Sequence, residues 1–143
     1  MSAPMRAAAR HAVSRRPGPI LIEGYASVFG VEDRSGDIVR AGAFARSLRE
    51  RSIPMLLQHK SGAIAGMWTR VVENGHGLLV RGMIESERAV QLARSGLDGL
   101  SIGFRPRVWT HRRDGGRVLA QVELVEISLV AEPMLPAARF ERV

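Results

Sequence analysis

The chain contains no cysteine. Thiol catalysis, thiolate metal centres and a disulfide framework are excluded from the start. Lysine is nearly as scarce: Lys60 is the only one, and arginine supplies the rest of the basic side chains behind a formal net charge of +7. That skew reads as a compositional bias toward Arg and Ala rather than a set of phosphate contacts. Aromatic residues make up 5% of the chain, too few for a base-stacking surface that grips single strands. No apolar run approaches the ~20 residues that span a bilayer, so no membrane segment is expected. The start, "MSAPMRAAARHAVSRRPGP", has no continuous apolar core and is not a secretory signal peptide.

What is present describes one domain, able to bury roughly two-thirds of its unfolded surface without covalent staples. Residues 1–19 hold Arg6, Arg10, Arg15 and Arg16 and no acid, and read as a disordered basic arm. Nucleic-acid binding through that arm stays open as one alternative. The ordered domain is expected over 20–138, with a short tail at 139–143.

The pattern predicts about six strands and two short helices. "ILIEGYASVF" (20–29), "IPMLLQHK" (53–60), "GAIAGMWTRVVE" (62–73), "GLLVRGMIE" (77–85), "GLSIGFRPRVWTHR" (99–112) and "GRVLAQVELVEISLVAEP" (116–133) are rich in β-branched and apolar residues. Asn-Gly at 74–75 and "RDGG" at 113–116 mark hairpin turns. Helices are expected over 42–51 and 86–96, the second capped by Ser86 and closed by Gly96. The fold class that follows is mostly β: a small antiparallel sheet or barrel of six or seven strands flanked by helices. Trp68 and Trp109 read as core or dimer contacts. "EDRSGD" at 32–37 lacks the spacing of a calcium loop and reads as a turn closed by Asp side chains.

Three residues could share chemistry. On a pleated strand Ser101 and Gly103 face one way. Glu126 and Ser128 share a face of a strand that is apolar on both sides, and a buried carboxylate needs a partner. Among the four histidines, His59 stands out at the end of an apolar strand. A serine hydroxyl needs a base, histidine is suited to be one near neutral pH, and a carboxylate behind the imidazole sets its tautomer. Gly103 is expected to keep the substrate side of Ser101 clear, and backbone N–H groups near Ser101 or in "RPR" (105–107) to hold an oxyanion.

Four segments in order carry a resemblance. "GYASVFGVEDRSGDIVRAGAF" (24–44), "PMLLQHK" with "IAG" (54–60, 64–66), "GLSIGFRP" (99–106) and "LVEISLVAEPMLPAA" (124–138) resemble the blocks of the prohead proteases of tailed phages and gene transfer agents. These capsid-maturation serine proteases are related to the herpesvirus assemblins. The resemblance implies a small β-barrel flanked by helices, Ser101 as nucleophile, His59 as general base and Glu126 as third member. No cofactor and no metal are expected. The resemblance also implies capsid protein, scaffold and the chain itself as substrates, a homodimer by analogy, and work inside the immature capsid in the bacterial cytoplasm. A non-catalytic factor that binds capsid subunits is the other alternative.

Overall fold

Alternation in "ILIEGYASV" buries Ile20 and Ile22, and a bulge between Tyr25 and Ser27 shifts the phase so that Ala26 and Ser27 are both covered. The computed structural model to which this strand belongs describes residues 18–143. The basic-arm reading of 1–19 therefore falls almost wholly outside the described residues. The strands are β1 (Ile20–Val28), β2 (Asp37–Val39), β3 (Met55–Leu57), β4 (Ile64–Glu73), β5 (Gly77–Ile84), β6 (Gly99–His111), β7 (Arg117–Val130) and β8 (Phe140–Arg142). The helices are α1 (Ala45–Glu50) and α2 (Glu87–Arg94). The strands form one sheet in the order β2-β7-β3-β4-β5-β1-β8, with β6 paired to the other edge of β7. The sheet curls into a half-barrel around a core that includes Ile22, Phe44, Leu78, Ile84, Leu100, Leu124 and Leu129.

The expected hairpins are present. β4 and β5 pair antiparallel across Asn74, whose side chain accepts from the backbone N–H groups of His76 and Gly77 at 2.8 and 3.1 Å. β6 and β7 form the longest ribbon, across the turn at 112–116. Ser86 caps α2 by accepting from the Ala89 N–H at 3.2 Å, and Gly96 follows in the left-handed region at φ 112°.

Two features differ from expectation. β2 and β3 lie parallel to β7 along one edge, so the sheet is mixed. Residues 139–143, set apart as a tail, contain β8, which pairs with β1 and buries Phe140. Both β2 and β8 are three residues long, too short to show a period of two. The gap between β2 and β3 on the edge of β7 is filled by α1 and the turn before it. The Val122 N–H donates to the Ala43 carbonyl at 3.1 Å. The buried Ser47 hydroxyl accepts from the Leu124 N–H at 2.9 Å and donates to the Val122 carbonyl at 3.2 Å. The edge of β7 is thus satisfied without a continuous neighbour strand. Trp68 is buried and donates its indole N–H to the Ile127 carbonyl at 3.3 Å. Trp109 stays on the surface beside the Arg117 guanidinium.

Candidate active site

β3, β7 and β6 lie side by side, and each supplies part of one site. In the β6–β7 ribbon Ser101 is directly opposite Ser128, and Gly103 directly opposite Glu126. Directly opposed residues share a face. All four therefore look the same way, as strand parity predicts. β3 runs along the far edge of β7, with Leu56 beside Ser128 and Leu57 beside Leu129. Immediately after β3 the chain turns sharply. Gln58 and His59 both adopt left-handed backbone conformations, at φ 52° and 60°. Two successive non-glycine residues in that region are strained, and such strain persists only where surrounding contacts hold it. Here the Gln58 N–H donates to the Leu129 carbonyl at 2.9 Å and the His59 N–H to the Ser128 hydroxyl at 3.1 Å.

That turn aims the imidazole back over β7. His59 Nδ1 lies 2.6 Å from Glu126 Oε2. A carboxylate only accepts, so Nδ1 carries the proton, and in the neutral ring Nε2 is left with a free lone pair. The hydrogen bond to Glu126 holds the His59 imidazolium above its ordinary range; burial works against this, and the charge of Glu126 adds to it. Glu126 is buried, and the Ser128 hydroxyl donates to its Oε1 at 2.7 Å. The partners that a buried carboxylate demands are thus one imidazole and one hydroxyl.

Gly103 has a different role from the one expected. A Cβ there would lie 2.7 Å from the Glu126 carboxyl carbon and 3.0 Å from its Cγ. The missing side chain makes room for Glu126, not for a substrate beside Ser101.

Ser101 and His59 line one cavity of about 230 Å³. The Ser101 residue is 6% exposed. Its hydroxyl makes no hydrogen bond to another described residue, yet it is not sealed in the interior. The walls include Val28, Leu100, Ile102, Phe104 and Leu135, together with the charged residues Asp33, Asp37 and Arg117. The segment 105–107, whose backbone N–H groups are one of the two expected oxyanion sources, does not line it; the side chains of Arg105 and Arg107 pair with Glu123.

"EDRSGD" forms the Asp-closed turn expected of it. Asp33 Oδ1 accepts from the Ser35 N–H, the Ser35 hydroxyl and the Asp37 N–H at 2.9, 2.7 and 2.9 Å. What sequence reasoning missed is the partner of Asp37, whose carboxylate is buried and held at both oxygens by Arg117 at 2.9 and 2.8 Å. Their separation of 80 positions leaves no local signal. Among the described residues, no cluster of three His, Asp or Glu could hold a metal ion.

Comparison with known proteins adds fold and ancestry. The structure is similar to a herpesvirus protease, that of KSHV solved with a hexapeptide phosphonate inhibitor. The TM-score is 0.61 at 13% identity, over 87% of this chain and 65% of that one. It is also similar to the capsid assembly protease of bacteriophage T4, with a TM-score of 0.56 at 16% identity, over 77% of this chain and 80% of that one. At these identities the likeness speaks for the fold alone, and it agrees with the mostly-β reading of the sequence. By sequence the chain is 33% identical over 93 residues to the prohead protease of Enterobacteria phage HK97, covering 59% of this chain and 41% of that protein. The chain therefore spans about two-fifths of that relative's length. The sequence pattern of the caudovirus prohead serine proteases matches residues 9–143, nearly the whole chain, and the chain belongs to that family.

Proposed function

We propose that this chain is a serine endopeptidase of prohead maturation, with Ser101 as nucleophile, His59 as general base and Glu126 as the group that orients the base. The observation that carries the reading is the 2.6 Å hydrogen bond from His59 Nδ1 to Glu126 Oε2, with His59 on the wall of the cavity that Ser101, its hydroxyl unengaged, also lines. With Nδ1 bonded to Glu126, Nε2 takes the Ser101 proton as the hydroxyl oxygen attacks a peptide carbonyl carbon. The same proton goes to the leaving amine. Water, deprotonated in turn by Nε2, then releases the acyl group and restores the serine.

The family and the named relatives support protein substrates in capsid assembly. The proposed substrates are the capsid protein's extension, the scaffold and the chain's own leading arm. The proposed setting is the immature capsid in the host cytoplasm, and a second copy of the chain is a proposed partner. The test is co-expression of the capsid protein with wild type or Ser101→Ala. Capsid-protein processing, read by intact mass, is expected with wild type and absent with the variant. Processing that continues at the wild-type rate with Ser101→Ala would overturn the assignment.

A further inference from the structure

Ser128 is buried in the strand opposite Ser101 and belongs to none of the three proposed catalytic roles, yet it touches two of the three groups. Its hydroxyl accepts from the His59 backbone N–H at 3.1 Å and donates to Glu126 Oε1 at 2.7 Å, while Glu126 Oε2 meets His59 Nδ1 at 2.6 Å. The contacts close a ring that leaves His59 from its main chain and returns to its side chain. We propose that Ser128 is a positioning residue, whose single hydroxyl fixes both the strained main chain of His59 and the carboxylate that orients its imidazole. The inference deepens the protease reading and rests on it for its kinetic consequences.

The direction of each bond follows from the chemistry. A hydroxyl has one proton. Because the His59 N–H occupies a lone pair of Oγ, that proton is free to point to Glu126. Glu126 Oε1 is thereby taken, so Oε2 is the oxygen left for Nδ1. An alanine at this position removes both bonds at once. The left-handed turn at Gln58–His59 loses the bond of the His59 N–H and keeps those of the Gln58 and Lys60 N–H groups to Leu129 and Leu57, and the carboxylate regains rotation about its last torsion. Neither bond involves the Ser101 hydroxyl, and Ser128 is not itself among the residues that line the cavity. A threonine in the same place keeps the hydroxyl and serves both bonds wherever its methyl is accommodated.

The other ionisable groups around the cavity do not duplicate this role. Asp37 is engaged by Arg117, and the contacts of Asp33 are with its own turn. Lys60, next to His59, is exposed.

The experiment uses the full chain. Wild type, Ser128→Ala and Ser128→Thr are assayed for peptide cleavage across pH. The titration of the His59 ring is followed by NMR in the same variants carrying Ser101→Ala, which prevents self-cleavage. Thermal unfolding selects the folded variants. Ser128→Ala is expected to lower kcat about 10- to 100-fold, the loss of a charged hydrogen bond expressed as rate, with little change in KM. It is also expected to move the His59 titration down toward the free-histidine range. Ser128→Thr is expected to restore much of both. An unchanged or raised His59 titration in a folded Ser128→Ala protein overturns the inference, as does a loss confined to stability. A lowered titration in a chain that proves to cleave nothing would instead overturn the protease reading and leave the positioning role of Ser128 standing.

Discussion

Gly103→Ala asks whether the missing side chain serves the carboxylate or the substrate. The new Cβ would sit 2.7 Å from the Glu126 carboxyl carbon, more than half an ångström inside ordinary carbon–carbon contact. Glu126 is buried and tied at both oxygens, so it has two courses: accept the overlap, or swing away and release His59 and Ser128. The first costs about 1–3 kcal/mol as overpacking, the second about 1.5–3 kcal/mol as a lost charged hydrogen bond. A loss of about 1–3 kcal/mol is expected either way, close to 3–6 °C in Tm per kcal/mol for a domain of this size. A double-mutant cycle with Glu126→Ala isolates the cause. With the carboxylate gone, the methyl has room and its cost should fall to within about 0.5 kcal/mol of zero. In the single variant kcat should fall along with stability. If the two costs add, and Gly103→Ala raises KM with Tm untouched, the glycine clears space for substrate and the structural argument fails.

Further outcomes follow at Glu126, at Ser47 and at the Asp37–Arg117 pair. Since the Glu126 hydrogen bond raises the His59 pKa, the base form accumulates only above the ordinary value of about 6.5. Glu126→Gln should bring the acid limb of the kcat/KM profile down toward that value while lowering the rate. For stability, a raised folded-state pKa gives a contribution that is complete below the unfolded value and lost as pH rises through the folded one. The Tm gap between wild type and Glu126→Gln should therefore narrow as pH increases. Ser47→Ala removes the acceptor for the buried Leu124 N–H; urea denaturation should show a loss of about 1–3 kcal/mol, with activity intact. Arg117→Ala strands the buried Asp37 carboxylate and should cost about 2–3 kcal/mol, less than a fully buried pair because the arginine is one-third exposed. Asp37→Ala leaves behind an arginine that still reaches solvent, and should cost clearly less in the same denaturation assay.

Much of the frame was legible because it is local. The long strands announce themselves by composition, the two hairpins by Asn-Gly and Asp-Gly, and α2 by Ser86 and Gly96. Parity alone put Ser101 and Gly103 on one face and Glu126 and Ser128 on another, and the β6–β7 register aligns the two faces. The parallel pairing of β3 with β7, which carries His59 to Glu126, was not legible. It brings two side chains 67 positions apart together by way of a three-residue strand, and neither periodicity nor turn chemistry encodes such a contact. The left-handed turn at Gln58–His59 was equally hidden, since two consecutive non-glycine residues in that region give no sequence signal. Ser128 reads in the sequence only as a member of a face, because its importance lies in two long-range bonds and not in its neighbours along the chain.

The most direct test of the central claim is chemical. The folded protein is treated with a serine-directed phosphonate and the adduct mapped by peptide mass spectrometry, for wild type, Ser101→Ala and His59→Ala. A reactive serine driven by His59 and backed by Glu126 predicts a single adduct on Ser101, absent in the first variant and slowed by orders of magnitude in the second. Labelling at another residue, or at Ser101 with a rate indifferent to His59, would contradict it.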